Sequence, residues 1–310
     1  MKHRSALISV LTFLSVIVAV QAIWGWDTLL SFWSTIPTNA VIFFTLLYWF
    51  SYLVRSYRIS IYFNSPRIQL PTKVVLPIVI KQTFWANLLP AKAGEISFPI
   101  LMKKAFSTPY SHSVPALLVL RLFDAYVLAS IAVAIFSFPM AGVWVLAWLL
   151  VSFFIPLVGI SLRRQLIGLT YKHRARNKVK FIWQILTNIP DSKKKLLRMT
   201  ALSWLNWGIK IFLFAALLAS MTPLLIEQTT IAALFGEVSG MLPGLPGGFG
   251  SYEAAVSFGL MSSGADLSAV SSKEIVAAAL NSHFFILFNS IFGAMIVFML
   301  PKKSTIETSL

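Results

Sequence analysis

Apolar residues fall along the chain in long, nearly unbroken runs. They follow neither the three-four spacing of an amphipathic surface helix nor the alternation of a half-buried strand. A helix needs about 20 consecutive apolar residues to cross the hydrocarbon of a bilayer. Six stretches come close to that length or exceed it: residues 5–23, 38–54, 113–138, 140–162, 199–220 and 275–300. Two more, 74–102 and 230–261, are apolar but interrupted by proline, glycine and charge. Each is too long for one span and too broken for two. The pattern predicts an all-α integral membrane protein, a single polytopic domain over residues 1–310 with six full transmembrane helices.

The polar punctuation orients these segments. Lys2 and Arg4, residues 55–73, residues 163–198 and the tail from Lys302-Lys303 are basic; residues 163–198 hold eleven Lys or Arg against one acid, Asp191. Residues 24–37, the neighbourhood of Pro139 and residues 221–229 contain no Lys or Arg. With basic loops inside, both termini are cytoplasmic, as expected of a multi-pass protein of the cell (plasma or inner) membrane. Stretch 74–102 then starts and ends inside, and stretch 230–261 starts and ends outside. Both are expected to be re-entrant helical hairpins. Residues 1–138 and 140–310 would then form an inverted-topology repeat, the arrangement in which transporters bind substrate where broken helices meet. Asn87-Leu88-Leu89-Pro90 before Gly94-Glu95 echoes Gly240-Met241-Leu242-Pro243 before Glu253, although proline and glutamate are five apart in one and ten in the other. The basic start, the apolar run and Val20-Gln21-Ala22 also resemble a signal peptide. That run is longer than a typical signal core and its removal would break the repeat, so it is read as retained.

Composition sharpens this. Hydrophobic residues make up 57% of the chain and charged ones 12%, about half the roughly 25% of soluble domains. A net charge of +16 would suggest nucleic acid on a soluble surface, but here it follows the loops, and no nucleic-acid partner is expected. With no cysteine, disulfides, thiolate metal sites and a cysteine nucleophile are excluded. His3, His112, His173 and His283 form no metal spacing. No metal, cofactor or enzyme active site is expected. Interface belting accounts for most of the tryptophans, Trp24, Trp26, Trp33 and Trp49 among them.

Eight charges remain inside the assigned spans: Lys81, Lys92, Arg121 and Lys210, and Glu95, Asp124, Glu237 and Glu253. Charge at the bilayer centre costs about 2.5–3.5 kcal/mol on insertion scales, so such groups pair or line wet cavities. Arg121 and Asp124, three apart, share a helix face; they are either a self-neutralising pair or the lining of a polar cavity. In Pro90-Ala91-Lys92-Ala93-Gly94-Glu95, proline ends one arm and glycine permits the turn. Glu95 then either complements the next helix's dipole or shares its exposed N–H groups with an anion. Pro243-Gly244-Leu245-Pro246-Gly247-Gly248-Phe249-Gly250-Ser251-Tyr252-Glu253 is the densest motif. Backbone this irregular is tolerated at membrane depth only when buried in protein or facing water. It is neither a Walker loop nor a dinucleotide fingerprint. Candidate substrate-binding residues are Asn87, Lys92, Glu95, Arg121, Asp124, Gly247, Gly248, Gly250 and Glu253, with Lys81, Lys210 and Glu237 as secondary candidates.

Asn87 with Pro90–Glu95, then Leu120-Arg121-Leu122-Phe123-Asp124, then Pro246–Glu253 resemble the three signatures of the lysylphosphatidylglycerol synthase transmembrane-region family, also called the flippase-like domain family. The resemblance covers nearly the whole chain, in order. It implies a polytopic protein that moves lipid between leaflets, here without the fused synthase domain that makes aminoacylated phosphatidylglycerol. The family usually carries arginine where this chain has Lys92, and often another at Phe98, so no arginine-specific headgroup contact is carried over there. Some relatives accompany glycosyltransferases that use polyprenyl phosphate. The expected function is therefore a lipid flippase whose partner is a membrane lipid, either an aminoacylated phospholipid or a polyprenyl-phosphate-linked sugar. A non-transporting partner subunit of a lipid-modifying enzyme or glycosyltransferase, docked through residues 163–198, and a secondary transporter of a small solute stay open as alternatives.

Overall fold

The computed structural model describes residues 2–65, 69–171, 177–242 and 244–300. Among them there are twelve α-helices and no strand: α1 (Lys2–Ile23), α2 (Trp26–Ser31), α3 (Thr38–Phe63), α4 (Thr72–Leu88), α5 (Ser97–Phe106), α6 (Tyr110–Ala141), α7 (Trp144–Tyr171), α8 (Asn177–Asn188), α9 (Lys193–Met221), α10 (Ile226–Ser239), α11 (Ser251–Ser262) and α12 (Ser272–Met299). Five of these, α3, α6, α7, α9 and α12, are long and apolar enough to cross a membrane. A sixth crossing is reached if Leu7–Ile23 and Trp26–Thr35 are taken together, across a bend of 88°. The bend sits at Gly25, whose φ of 76° is left-handed backbone that favours glycine. Along α7, Trp144 is 74% exposed and Val158 70%, as expected of a helix whose solvent is lipid. The chain is a multi-pass membrane protein.

Several helices run past the ends of their apolar runs. α3 continues to Phe63 rather than stopping at residue 54, α7 continues to Tyr171 rather than 162, and α9 begins at Lys193 rather than 199. Once a helix is nucleated, each further residue adds a backbone hydrogen bond whatever its side chain. Hydropathy marks the lipid-facing part of a helix, not its end. Stretch 163–198, read as a loop, is therefore the end of α7, all of α8 and the start of α9, with residues 172–176 (His173 among them) outside the described residues. The two broken stretches are each a pair of helices around an irregular turn: α4 and α5 around Pro90–Ile96, and α10 and α11 around a turn described at residues 240–242 and 244–250.

Packing divides the chain into two compact units, each drawn from both halves of the sequence. The first comprises Met1–Tyr52, Val79–Ser97 and Ile209–Leu310. Val20, Leu29, Phe249, Ala277, Leu280 and Leu287 form a buried cluster there. Two of its tryptophans have hydrogen-bond partners on α12. Trp33 Nε1 donates to Asn281 Oδ1 at 2.8 Å and Trp49 Nε1 to Asn289 Oδ1 at 3.1 Å, both asparagines lying on α12. Buried indole N–H groups need partners, and here they link helices. α10 and α11 lie backbone to backbone: a Cβ on Gly259 would stand 2.7 Å from Ala232 Cα, and one on Gly236 2.9 Å from the Tyr252 ring.

The second unit comprises Leu53–Ile78 and Phe98–Gly208. In it α6, α7 and α8 pack on one another. The Tyr126 hydroxyl donates to the Ser152 carbonyl, and Trp148 Nε1 to the Ser130 carbonyl at 3.0 Å. Arg163 Nε donates to the Leu186 carbonyl at 2.8 Å, a cation at the negative end of α8. Charge is divided unevenly: this unit has eighteen Lys or Arg against Asp124 and Asp191, whereas the first has eight basic and eight acidic residues.

Candidate functional site

In the second unit α6 carries Asp124 into the core, where it is 4% exposed. Its carboxylate is gripped by Arg58 from α3, Nη1 to Oδ1 at 2.5 Å and Nη2 to Oδ2 at 3.1 Å. Trp207 Nε1 donates to Oδ1 at 2.9 Å, and Arg58 Nη1 also donates to Ser203 Oγ at 2.6 Å. Arg121, one turn before Asp124, stands 3.9 Å from Oδ2, with a quarter of its side chain exposed. A bidentate fork of this kind is the strongest form of carboxylate pairing. Arg121 and Asp124 do lie together, as their spacing predicts, but the principal partner of Asp124 is Arg58. The three side chains carry two positive charges and one negative.

In the first unit the glycine turn is built by its backbone. Gly247, Gly248 and Gly250 have φ of 73°, 84° and 79°, conformations that side chains disfavour; conformation alone accounts for glycine at these three positions. Phe249 between them is buried and meets Phe13 edge-on at 5.4 Å. Glu253, in the first turn of α11, accepts the Gly250 N–H through Oε2 at 2.7 Å. Its Oε1 lies 2.6 Å from His283 Nδ1, and His283 Nε2 lies 2.6 Å from the Gly247 carbonyl. Nearby, Lys210 Nζ and Glu237 Oε2 form an ion pair at 2.6 Å.

The profile of the lysylphosphatidylglycerol synthase TM region matches residues 6–293. The chain belongs to this family. No curated protein and no solved structure matches it.

Two of the three family signatures meet within the first unit. The turn Pro90–Ile96 packs on Pro246–Gly248, and a Cβ on Gly247 would lie 3.4 Å from the Asn87 carbonyl. The Asn87 side-chain nitrogen is buried with no hydrogen-bond partner among the described residues. Glu95 is half-buried, and Lys81 Nζ lies 5.2 Å from the centre of the Phe298 ring. The Lys92 side chain falls outside the described residues. Phe98, where the family often has arginine, is fully buried in the second unit against Phe63; an arginine would need a buried counter-charge there.

Gly94 is fixed by space. A Cβ there would land on the Trp85 carbonyl and the Ala86 nitrogen. Backbone cannot yield as a side-chain tip can, so Gly94→Ala should cost about 3 kcal/mol, the upper end for overpacking. The check is the unfolding temperature in detergent, which should fall; an unchanged value would refute the close approach.

Arg58 and His283 escaped the sequence reading, for different reasons. Arg58 fell past the end of an apolar window and counted as a loop charge, although Ile59, Ile61, Tyr62 and Phe63 resume the apolar run. His283 sits in the middle of an apolar run, and an ionisable group there is a site hypothesis by default. Its signal is that apolar setting, not any metal-ligand spacing.

Proposed function

We propose that the protein translocates a lipid with a phosphate-bearing polar headgroup between membrane leaflets. The observation that carries this reading is the Arg58–Asp124–Arg121 cluster, two guanidinium groups on one buried carboxylate among apolar helices. A permanent charge is costly in such a place and is kept where it serves a pathway. Family membership supports lipid as the cargo. Arg121 is the more exposed of the two arginines, with a quarter of its side chain exposed, and its planar guanidinium is suited to a phosphate. An aminoacylated phospholipid and a polyprenyl-phosphate-linked sugar share that phosphate chemistry. In this reading α4–α5 and α10–α11 are re-entrant hairpins of an inverted repeat, with the termini on the cytoplasmic side. Their helix–turn–helix form favours it, as do Lys73 and Lys103-Lys104 at the flanks of α4–α5 and the lack of Lys or Arg in residues 221–229 before α10–α11.

The test is reconstitution into liposomes with labelled lipids of several headgroups. The wild-type protein should move at least one phosphate-bearing lipid faster than protein-free liposomes do. Arg121→Met, which keeps an unbranched stem and removes the guanidinium, should slow it by about tenfold or more, the loss of one charge-assisted contact, with unchanged unfolding temperature. If no lipid changes leaflet faster than in empty liposomes, with folded protein and an imposed gradient, the lipid-translocation reading fails.

A further inference from the structure

The hydrogen bonds around His283 do not close without an extra proton. The Gly247 carbonyl can only accept, so Nε2 must carry hydrogen. Nδ1 faces Glu253 Oε1 at 2.6 Å, and the other carboxylate oxygen already accepts the Gly250 N–H. A neutral ring beside an ionised Glu253 would set the Nδ1 lone pair against carboxylate lone pairs at hydrogen-bond distance. Two arrangements satisfy every atom: an imidazolium donating to the carboxylate, or a protonated Glu253 donating to a neutral ring. Both hold one proton more than neutral histidine with ionised glutamate, and both leave the couple without net charge, as an ion pair or as two neutral groups. Glu253 is 5% exposed and His283 2%, so a couple without net charge and with its polar atoms paired suits its surroundings.

Further polar atoms lie beside the couple. The Tyr252 ring packs on His283 with centroids 4.9 Å apart. Its hydroxyl is buried without a hydrogen-bond partner among the described residues, as is Glu237 Oε1. Tyr252 is within electrostatic reach of both Glu237 and Glu253, and Glu237 is paired with Lys210. The other charged residues of the first unit on surrounding elements are Lys92 and Glu95 in the turn Pro90–Ile96, Lys81 on α4, Asp27 on α2, Glu227 on α10, Asp266 between α11 and α12, and Lys273 and Glu274 at the start of α12; α1 carries none over residues 7–23.

We propose that the His283–Glu253 couple is a proton-binding site, that its proton holds the glycine turn shut, and that it is the coupling ion for transport. Only the last clause rests on the lipid-translocation reading. When the proton leaves, either the Glu253 contact or the Gly247 contact of the ring is lost, and the turn at 246–250 loses its anchor to His283, directly at Gly247 or through Glu253, and keeps the Glu253–Gly250 and Ser251–Gly248 bonds. Tyr252 and Glu237 offer the departing proton a hydroxyl and a carboxylate oxygen.

Glu253→Gln separates this from a structural role. The glutamine amide can donate to Nδ1 and accept the Gly250 N–H, reproducing the protonated arrangement with no proton to lose. The experiment follows ring nitrogens by NMR in 15N-histidine-labelled protein in liposomes from about pH 5 to about pH 9, with His283→Gln assigning the signal. Amide exchange of Gly248 and Gly250, corrected for its intrinsic pH dependence, is measured on the same samples. In the wild type, the extra proton should be present at low pH and lost as pH rises, while exchange of the turn increases by about tenfold or more. In Glu253→Gln the turn should stay protected throughout. A wild-type ring that keeps one bare nitrogen beside an ionised Glu253 across the range overturns the proposal; so does Glu253→Gln opening with the wild-type pH dependence. A proton site found in protein that moves no lipid would sink the transport reading alone.

Discussion

Asp124→Ala is expected to destabilise the protein by about 3–5 kcal/mol, the range for removing one partner of a buried ion pair. Arg58, 2% exposed, would be left as an uncompensated charge, and the Trp207 N–H would lose its acceptor. Most of that cost is the stranded cation rather than the lost attraction. The double substitution of Arg58 and Asp124 by leucine should therefore recover most of the lost stability, since a buried pair and an apolar pair of similar volume are often nearly equal. Thermal unfolding in detergent, followed by tryptophan fluorescence, gives both values. If the double variant unfolds as early as Asp124→Ala, the charge balance is not what the fold depends on. Lipid movement should be absent in both variants; stability would return in the double one without function.

Gly259→Leu should be at least as damaging, for a steric reason. The Cβ position faces the Ala232 Cα at 2.7 Å and the Ile231 carbonyl at 3.1 Å, atoms that move only if α10 moves. Glycine at such a crossing lets helices touch where the apolar effect gives no drive, because lipid is as apolar as leucine. The loss should exceed about 3 kcal/mol, the upper end for overpacking. Limited proteolysis should show new cleavage between residues 240 and 250 as α11 leaves α10. A Gly259→Leu protein that resists protease like the wild type would refute the packing.

Much of the architecture is readable in the sequence because lipid imposes one demand, that a crossing helix be apolar for its whole length. Residues 113–138 fall within α6, and the stretch 275–300 falls within α12 to its last helical residue, Met299, for that reason. The demand says nothing about which helix meets which. Asp124 announces itself as a charge needing a partner, and its neighbour at i−3 is the partner a sequence offers; that Arg58 stands opposite depends on the packing of α3 against α6. The glycine turn was legible as irregular backbone. Its dependence on His283, thirty residues beyond Glu253, was not, since no local spacing connects them. Likewise the indoles of Trp33 and Trp49 look interfacial by composition, and only tertiary structure pairs them with Asn281 and Asn289.

The glycines between α10 and α11 also decide how that pair can move. Helices seated backbone to backbone cannot slide by a turn without driving Gly236 or Gly259 against bulkier neighbours, because packed surfaces shift between discrete arrangements rather than deform. Any rotation of the pair would therefore be that of one stiff arm, taken up at its ends. One end is the short link at residues 222–225. The other is Gly264, which has φ of 70° and no atom within 4 Å of where a Cβ would stand. Stiffness in the arm places the joint outside it.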